Sequence, residues 1–185
     1  MTIPSESTLD ALRRGGQEAR AVCPMLAYQG DEANQDERSQ LRAAVVMSLA
    51  GSLCAADASI ARRLLLEETV MLETAGVGAT EALFTLVAIV ARFANPADVW
   101  LLWRARQATP ETRLGVDVEQ VGRLGIEQSR AILEQAASGD GSNADDARQA
   151  LAWITQGADS GAFDDLAGYF AWSDDRFGLT VAGST

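Results

Sequence analysis

Apolar residues recur along this chain three and four positions apart, the spacing of helices that bury one face. No run alternates β-branched with polar residues, and no Asn-Gly or Asp-Gly turn links two strand-like runs. Helix starts are the sharpest local signals. Ser7 with Asp10 can cap a first helix over Thr8–Val22, weakened at Gly15–Gly16 and stopped by Pro24. Tyr28–Glu37 is polar and reads as a loop, and a second helix covers about Glu37–Ala55. Asp57 can cap a third helix over Ala58–Gly76, with Ile60, Leu64, Val70 or Met71, and Leu72 as its apolar stripe. Gly76 and Gly78 sit where glycine usually ends a helix.

Ala79–Ala94 is apolar on nearly all sides, which predicts a helix at the centre of the fold. Asn95 then reads as a cap, with Pro96 at the first helical position and Asp98 three residues after the cap. Ala79–Arg106 is therefore expected to form an antiparallel helical hairpin. Thr109–Pro110–Glu111 repeats the cap-then-proline pattern. Asp117 with Gln120 starts a further helix that breaks near Gly122 or Gly125. Gly139–Asn143 is a loop. Asn143 with Asp146 caps the next helix, and Ala162–Gly178 is the last. The expectation is an all-α fold: an irregular bundle of about eight helices, with stacked αα-hairpins as a variant. No repeat of fixed period argues for a solenoid. One domain spans residues 1–185, with 1–36 as a looser arm and 179–185 as a frayed tail.

At 48% hydrophobic, the chain can bury a real core. No stretch reaches the roughly 18 uninterrupted apolar residues of a membrane span. The first residues lack the basic start and apolar run of a signal peptide, so a cytoplasmic location is the default expectation. Cys23 and Cys54 read as free thiols rather than a disulfide framework. The net charge is −11 and the pI about 4.4. Such a surface repels phosphate backbones and draws a basic protein partner, so nucleic acid and membrane are not expected among its partners.

Composition also narrows the chemistry. There is no histidine and no lysine: all 15 basic residues are arginine. That removes histidine general bases and the usual triads, Schiff-base lysines and the phosphate-binding lysine of the P-loop. Gly76–Glu81 contains a Gly-x-Gly, but it follows a helix rather than a strand. Carboxylate chemistry remains. Acidic pairs occur at Glu67–Glu68, Asp145–Asp146, Asp164–Asp165 and Asp174–Asp175. Their spacing does not suit inward-facing metal ligands, and first-turn placement on helices accounts for Asp145–Asp146 and Asp164–Asp165. No metal, cofactor or catalytic residue is assigned.

Trp100 and Trp103 share a helix face, and each removes about 150–250 Å² from water if buried. Core packing accounts for the stretch. The rival reading makes Trp103, Arg104, Arg106 and Arg113 an interaction edge able to hold an anion, supported if Trp100 faces inward and Trp103 outward. Trp153 and Trp172 form a second pair, again either core or rim. Asp164, Asp165, Trp172, Asp174 and Asp175 are the candidate partner-binding set, an aromatic platform beside carboxylates suited to an arginine or lysine. The expected function is a non-enzymatic protein-binding module with an acidic surface; a bacterial immunity protein that neutralises a cognate toxin is one concrete form. The alternatives are a small-ligand regulatory domain and a carboxylate- or metal-dependent hydrolase.

Overall fold

The computed structural model describes residues 5–28, 35–75, 78–139, 141 and 143–180. Among them are eleven α-helices, two 3-10 turns and no strand. In order these are α1 (Ser5–Arg14), α2 (Gly16–Leu26), α3 (Gln35–Ala50), the turn Ala55–Asp57, α4 (Ala58–Ala75) and α5 (Glu81–Arg92). The turn Pro96–Asp98 leads into α6 (Val99–Gln107), followed by α7 (Pro110–Gly115), α8 (Glu119–Leu124), α9 (Ile126–Ala137), α10 (Ala144–Asp159) and α11 (Leu166–Arg176). No described helix is long and apolar enough to cross a membrane.

The count exceeds eight partly because two expected helices divide. The division points are Gly15, at φ 69°, and Gly125, at φ 94°. Both values lie in the left-handed region, where glycine avoids the steric penalty of a Cβ. Pro24 does not stop the second of these helices; it sits in the last turn of α2, which ends two residues later. Lacking an N–H, it takes the usual donor from the Arg20 carbonyl, and the helix closes within its last turn.

The centre of the fold is α5, as its all-round apolarity predicts. Ala82, Leu83, Thr85 and every residue from Leu86 to Ala91 are buried. Helices α3, α4 and α8 pack around it, with a smaller contact from α6. The expected hairpin partner, α6, lies mainly on α4 and α7. The remaining core comes from Val45, Val46 and Leu49 of α3, Leu64, Leu65, Met71 and Leu72 of α4, Leu102 of α6, Leu133 of α9 and Ile154 of α10. Each large aliphatic side chain taken from water stabilises by about 1.5–3 kcal/mol before chain entropy is counted.

The two chain ends are tied to this body. Helix α1 buries Leu9 and packs on α3. Leu179 is buried, Thr180 N–H donates to Ala50 O at 2.8 Å, and Leu53 N–H donates to Thr180 O at 2.9 Å. Most of the expected 28–37 loop, and residues 181–185 of the expected tail, lie outside the described residues.

Candidate functional site

Which charges stay free decides where this protein can meet another molecule. Several arginines are committed to ties between helices. Arg13 of α1 holds Asp57 with two hydrogen bonds, at 2.9 and 2.7 Å, and donates to Ser52 O at 2.6 Å. Arg62 of α4 donates from Nε to both oxygens of Asp98, at 2.8 and 2.9 Å, and so fixes the entry to α6. Arg104 of α6 reaches back to Glu73 of α4, at 3.0 and 2.7 Å. In the interior, Arg42 of α3 pairs with Glu68 of α4. With 15 arginines against 26 acidic residues, each such tie removes one charge of each sign, so acidic groups make up a growing share of those left unpaired.

The Arg13–Asp57 tie, and a second one that joins Asp174 to Arg92 and Arg123, set an acid response. Burial by itself raises the Asp57 carboxyl, but the Arg13 hydrogen bonds and the Cys54 N–H outweigh it and hold the carboxyl below its ordinary range. Asp174 behaves alike: burial raises it, while hydrogen bonds from Arg123 and Arg92 lower it further than burial lifts it. A carboxyl with a depressed folded-state pKa stabilises the fold above its unfolded value, about 3.9 for aspartate. That contribution drains as pH falls through the lower folded value. Urea midpoints are therefore expected to decline below about pH 4, and less steeply for Asp57→Asn. Parallel pH profiles for the two proteins would remove the Arg13–Asp57 tie from the acid response.

Helix α11 is held on the body largely by polar contacts, with Ser173 its only fully buried residue. The Tyr169 hydroxyl donates to Asp117 Oδ2 at 2.9 Å, and Gln120 Nε2 donates to Tyr169 at 2.9 Å and Ser173 Oγ at 3.3 Å. Burial is the main cause raising the pKa of both Asp117 and Tyr169, which favours the proton-bearing forms. Asp174 accepts from Arg92 of α5 and from Arg123 of α8, the latter at 2.7 Å. Arg123 also lies 4.3 Å from the Phe170 ring centroid.

The outer side of α11 carries a different set. Trp172 is 52% exposed, against 5% for Trp103. Its neighbours at helical spacing, Gly168 and Asp175, are exposed, as are Ala167 and Ala171. Gly168, Ala167 and Ala171 leave half of the indole exposed, while the Tyr169 ring lies 5.6 Å from it. Asp164 is exposed, and Asp165 caps α11 by accepting from Gly168 N–H at 2.9 Å. Four of the five sequence-predicted partner residues thus share the outward side or N-terminal edge of α11, while Asp174 turns toward Arg92 and Arg123. The Arg176 guanidinium lies 5.9 Å from the Trp172 ring centroid, a cation–π contact made within the chain.

The α6–α7 edge divides differently from expectation. Trp103 faces inward and Trp100 is half-buried. Trp153 of α10 pairs with Trp103 rather than with Trp172, at 5.9 Å between centroids and 41° between planes. Arg104 is committed to Glu73. Arg106 lies 5.7 Å from the Trp103 centroid and 5.1 Å from that of Trp153, and Arg113 is exposed.

No family model, curated protein or solved structure matches the chain. Among the described residues, no three Cys, Asp or Glu side chains converge in a metal-holding group. Cys23 and Cys54 are free and half-buried.

Sequence reasoning missed Arg13, Arg42, Arg92 and Arg123 as ties, and Tyr169 as the latch of α11. Their partners lie between 26 and 82 residues away, and no local spacing marks them.

Proposed function

We propose that the protein is a non-enzymatic binding module that presents the outer face of α11 to a basic protein. The observation that carries this reading is the exposed indole of Trp172, with exposed carboxylates at Asp175 on the next turn and at Asp164 and Asp165 at the start of α11. Exposed tryptophan is among the commonest interface anchors. Exposed carboxylates on the same helix fit a basic partner that lays an arginine or lysine on the indole. The net charge of −11 supports the same partner, because it would steer a basic surface into encounter. An immunity protein covering a bacterial toxin is the concrete form this reading takes.

The test is capture of the partner with the full chain as bait, followed by association kinetics at two salt concentrations. The triple variant Asp164→Asn, Asp165→Asn, Asp175→Asn is expected to associate more slowly and to show a flatter salt dependence. Asparagine at 165 keeps a cap on α11, so charge changes while the helix start does not. Trp172→Ala is expected to speed dissociation about 30-fold or more, the loss of an anchor worth about 2 kcal/mol. A captured partner whose rates ignore both variants would take α11 out of the proposal.

A further inference from the structure

Arg106 differs from the arginines that tie helices together. Its side chain donates no hydrogen bond to any described residue and pairs with no carboxylate. Yet its guanidinium is held in place, 5.1 and 5.7 Å from two indole centroids. Its Nε is shut from solvent without a partner, and so is the indole Nε1 of Trp103, a side chain 95% buried by its 5% exposure. Buried donors left unpaired are costly, and an acceptor brought to them recovers that cost.

A second cation stands beside this one. Thr112 Oγ donates to the backbone oxygen of Arg106 at 3.0 Å, and Thr109 accepts from Thr112 N–H at 3.2 Å while its own N–H donates to Thr112 Oγ at 2.9 Å. These bonds fix the start of α7, which carries Arg113, against the end of α6, which carries Arg106. Burial first, and the Arg113 charge second, lower the Arg106 pKa. Neither cation has a carboxylate partner among the described residues, in a chain of net charge −11.

We propose that Arg106 and Arg113, with the Trp103–Trp153 pair behind them, form a binding site for a small oxyanion, the carboxylate or phosphate group of a soluble ligand. The guanidinium fork matches either group. Stacking on two indoles holds Arg106 in advance, so less side-chain freedom is lost on binding. A polyanion is disfavoured, because the rest of the surface repels it. Arg104, committed to Glu73, stands outside the site. None of these residues lies on α11.

Tryptophan fluorescence reads the site directly, since Trp103 and Trp153 line it. The intact protein is titrated with sodium phosphate and, separately, with sodium acetate, ionic strength being held constant with chloride. A saturable change is expected with at least one of them; response to phosphate alone assigns a phosphoryl ligand, and response to acetate assigns a carboxylate. Arg106→Gln is expected to weaken binding about tenfold or more. Arg113→Gln is expected to weaken it by a smaller factor, and Arg104→Gln to leave it unchanged. Arg113 is exposed, so its variant carries the test should Arg106→Gln fail to fold. No saturable signal up to tens of millimolar of either salt, or affinity unmoved by the arginine substitutions at 106 and 113, would overturn the site.

Discussion

Glu68→Ala is expected to lower folding stability by about 3–5 kcal/mol. Arg42 and Glu68 are each 1% exposed, so the substitution leaves a guanidinium charge in the interior with no carboxylate. What remains for Arg42 is weak: Leu26 O at 3.5 Å and Met71 Sδ at 2.9 Å. The damage spreads to α5, because the Thr80 hydroxyl both donates to Glu68 Oε2 at 3.2 Å and accepts from Leu83 N–H at 3.2 Å as the helix cap. One carboxylate thus joins α3, α4 and the start of the central helix. The double variant Arg42→Met, Glu68→Leu is expected to recover most of the loss, since a buried ion pair roughly breaks even against apolar side chains of similar volume. Urea unfolding of the three proteins checks both statements. A Glu68→Ala cost below about 1 kcal/mol would mean that water or another acceptor reaches Arg42.

The pair also shows where sequence reading stops. Helical class, the central place of α5 and the Asn95 and Thr109 caps were all legible, because each depends on residues close together along the chain. Asn95 accepts from Ala97 N–H at 3.2 Å, and Thr109 accepts from Thr112 N–H, as their positions before proline imply. Asp57 was legible only in part. It reads as the cap of α4, but it ends a 3-10 turn, reaches back to Cys54 N–H at 2.9 Å and pairs with Arg13 from 44 residues away. Arg42 and Glu68 carry no local mark at all. In one dimension Glu67–Glu68 resembles any solvated acidic pair; only the packing of α3 on α4 separates Glu68, which faces Arg42, from Glu67, which accepts from Tyr28 N–H at 3.0 Å. The candidate site divides along the same line. The acidic pairs at the two ends of α11 are visible in the sequence, whereas the commitment of Asp174 to Arg92 and Arg123 needed the tertiary fold.

Trp103→Ala is the second large effect expected, at about 3–5 kcal/mol. Trp103 lies on the short helix α6 and joins it to α10 through its contact with Trp153, so truncation opens a void between the two helices. Trp172→Ala removes an equal side chain from a site 52% exposed and is expected to shift stability by no more than about 0.5 kcal/mol. The same chemical change at two tryptophans thus separates a packing role from a surface role in one thermal or urea measurement. Trp103→Phe sharpens the comparison. The Trp103 indole N–H has no partner, so phenylalanine gives up ring volume without giving up a hydrogen bond. Its cost is expected to fall well below that of alanine. If phenylalanine cost as much as alanine, the N–H would have to be bonded in solution, and an acceptor near Arg106 would be the first place to look.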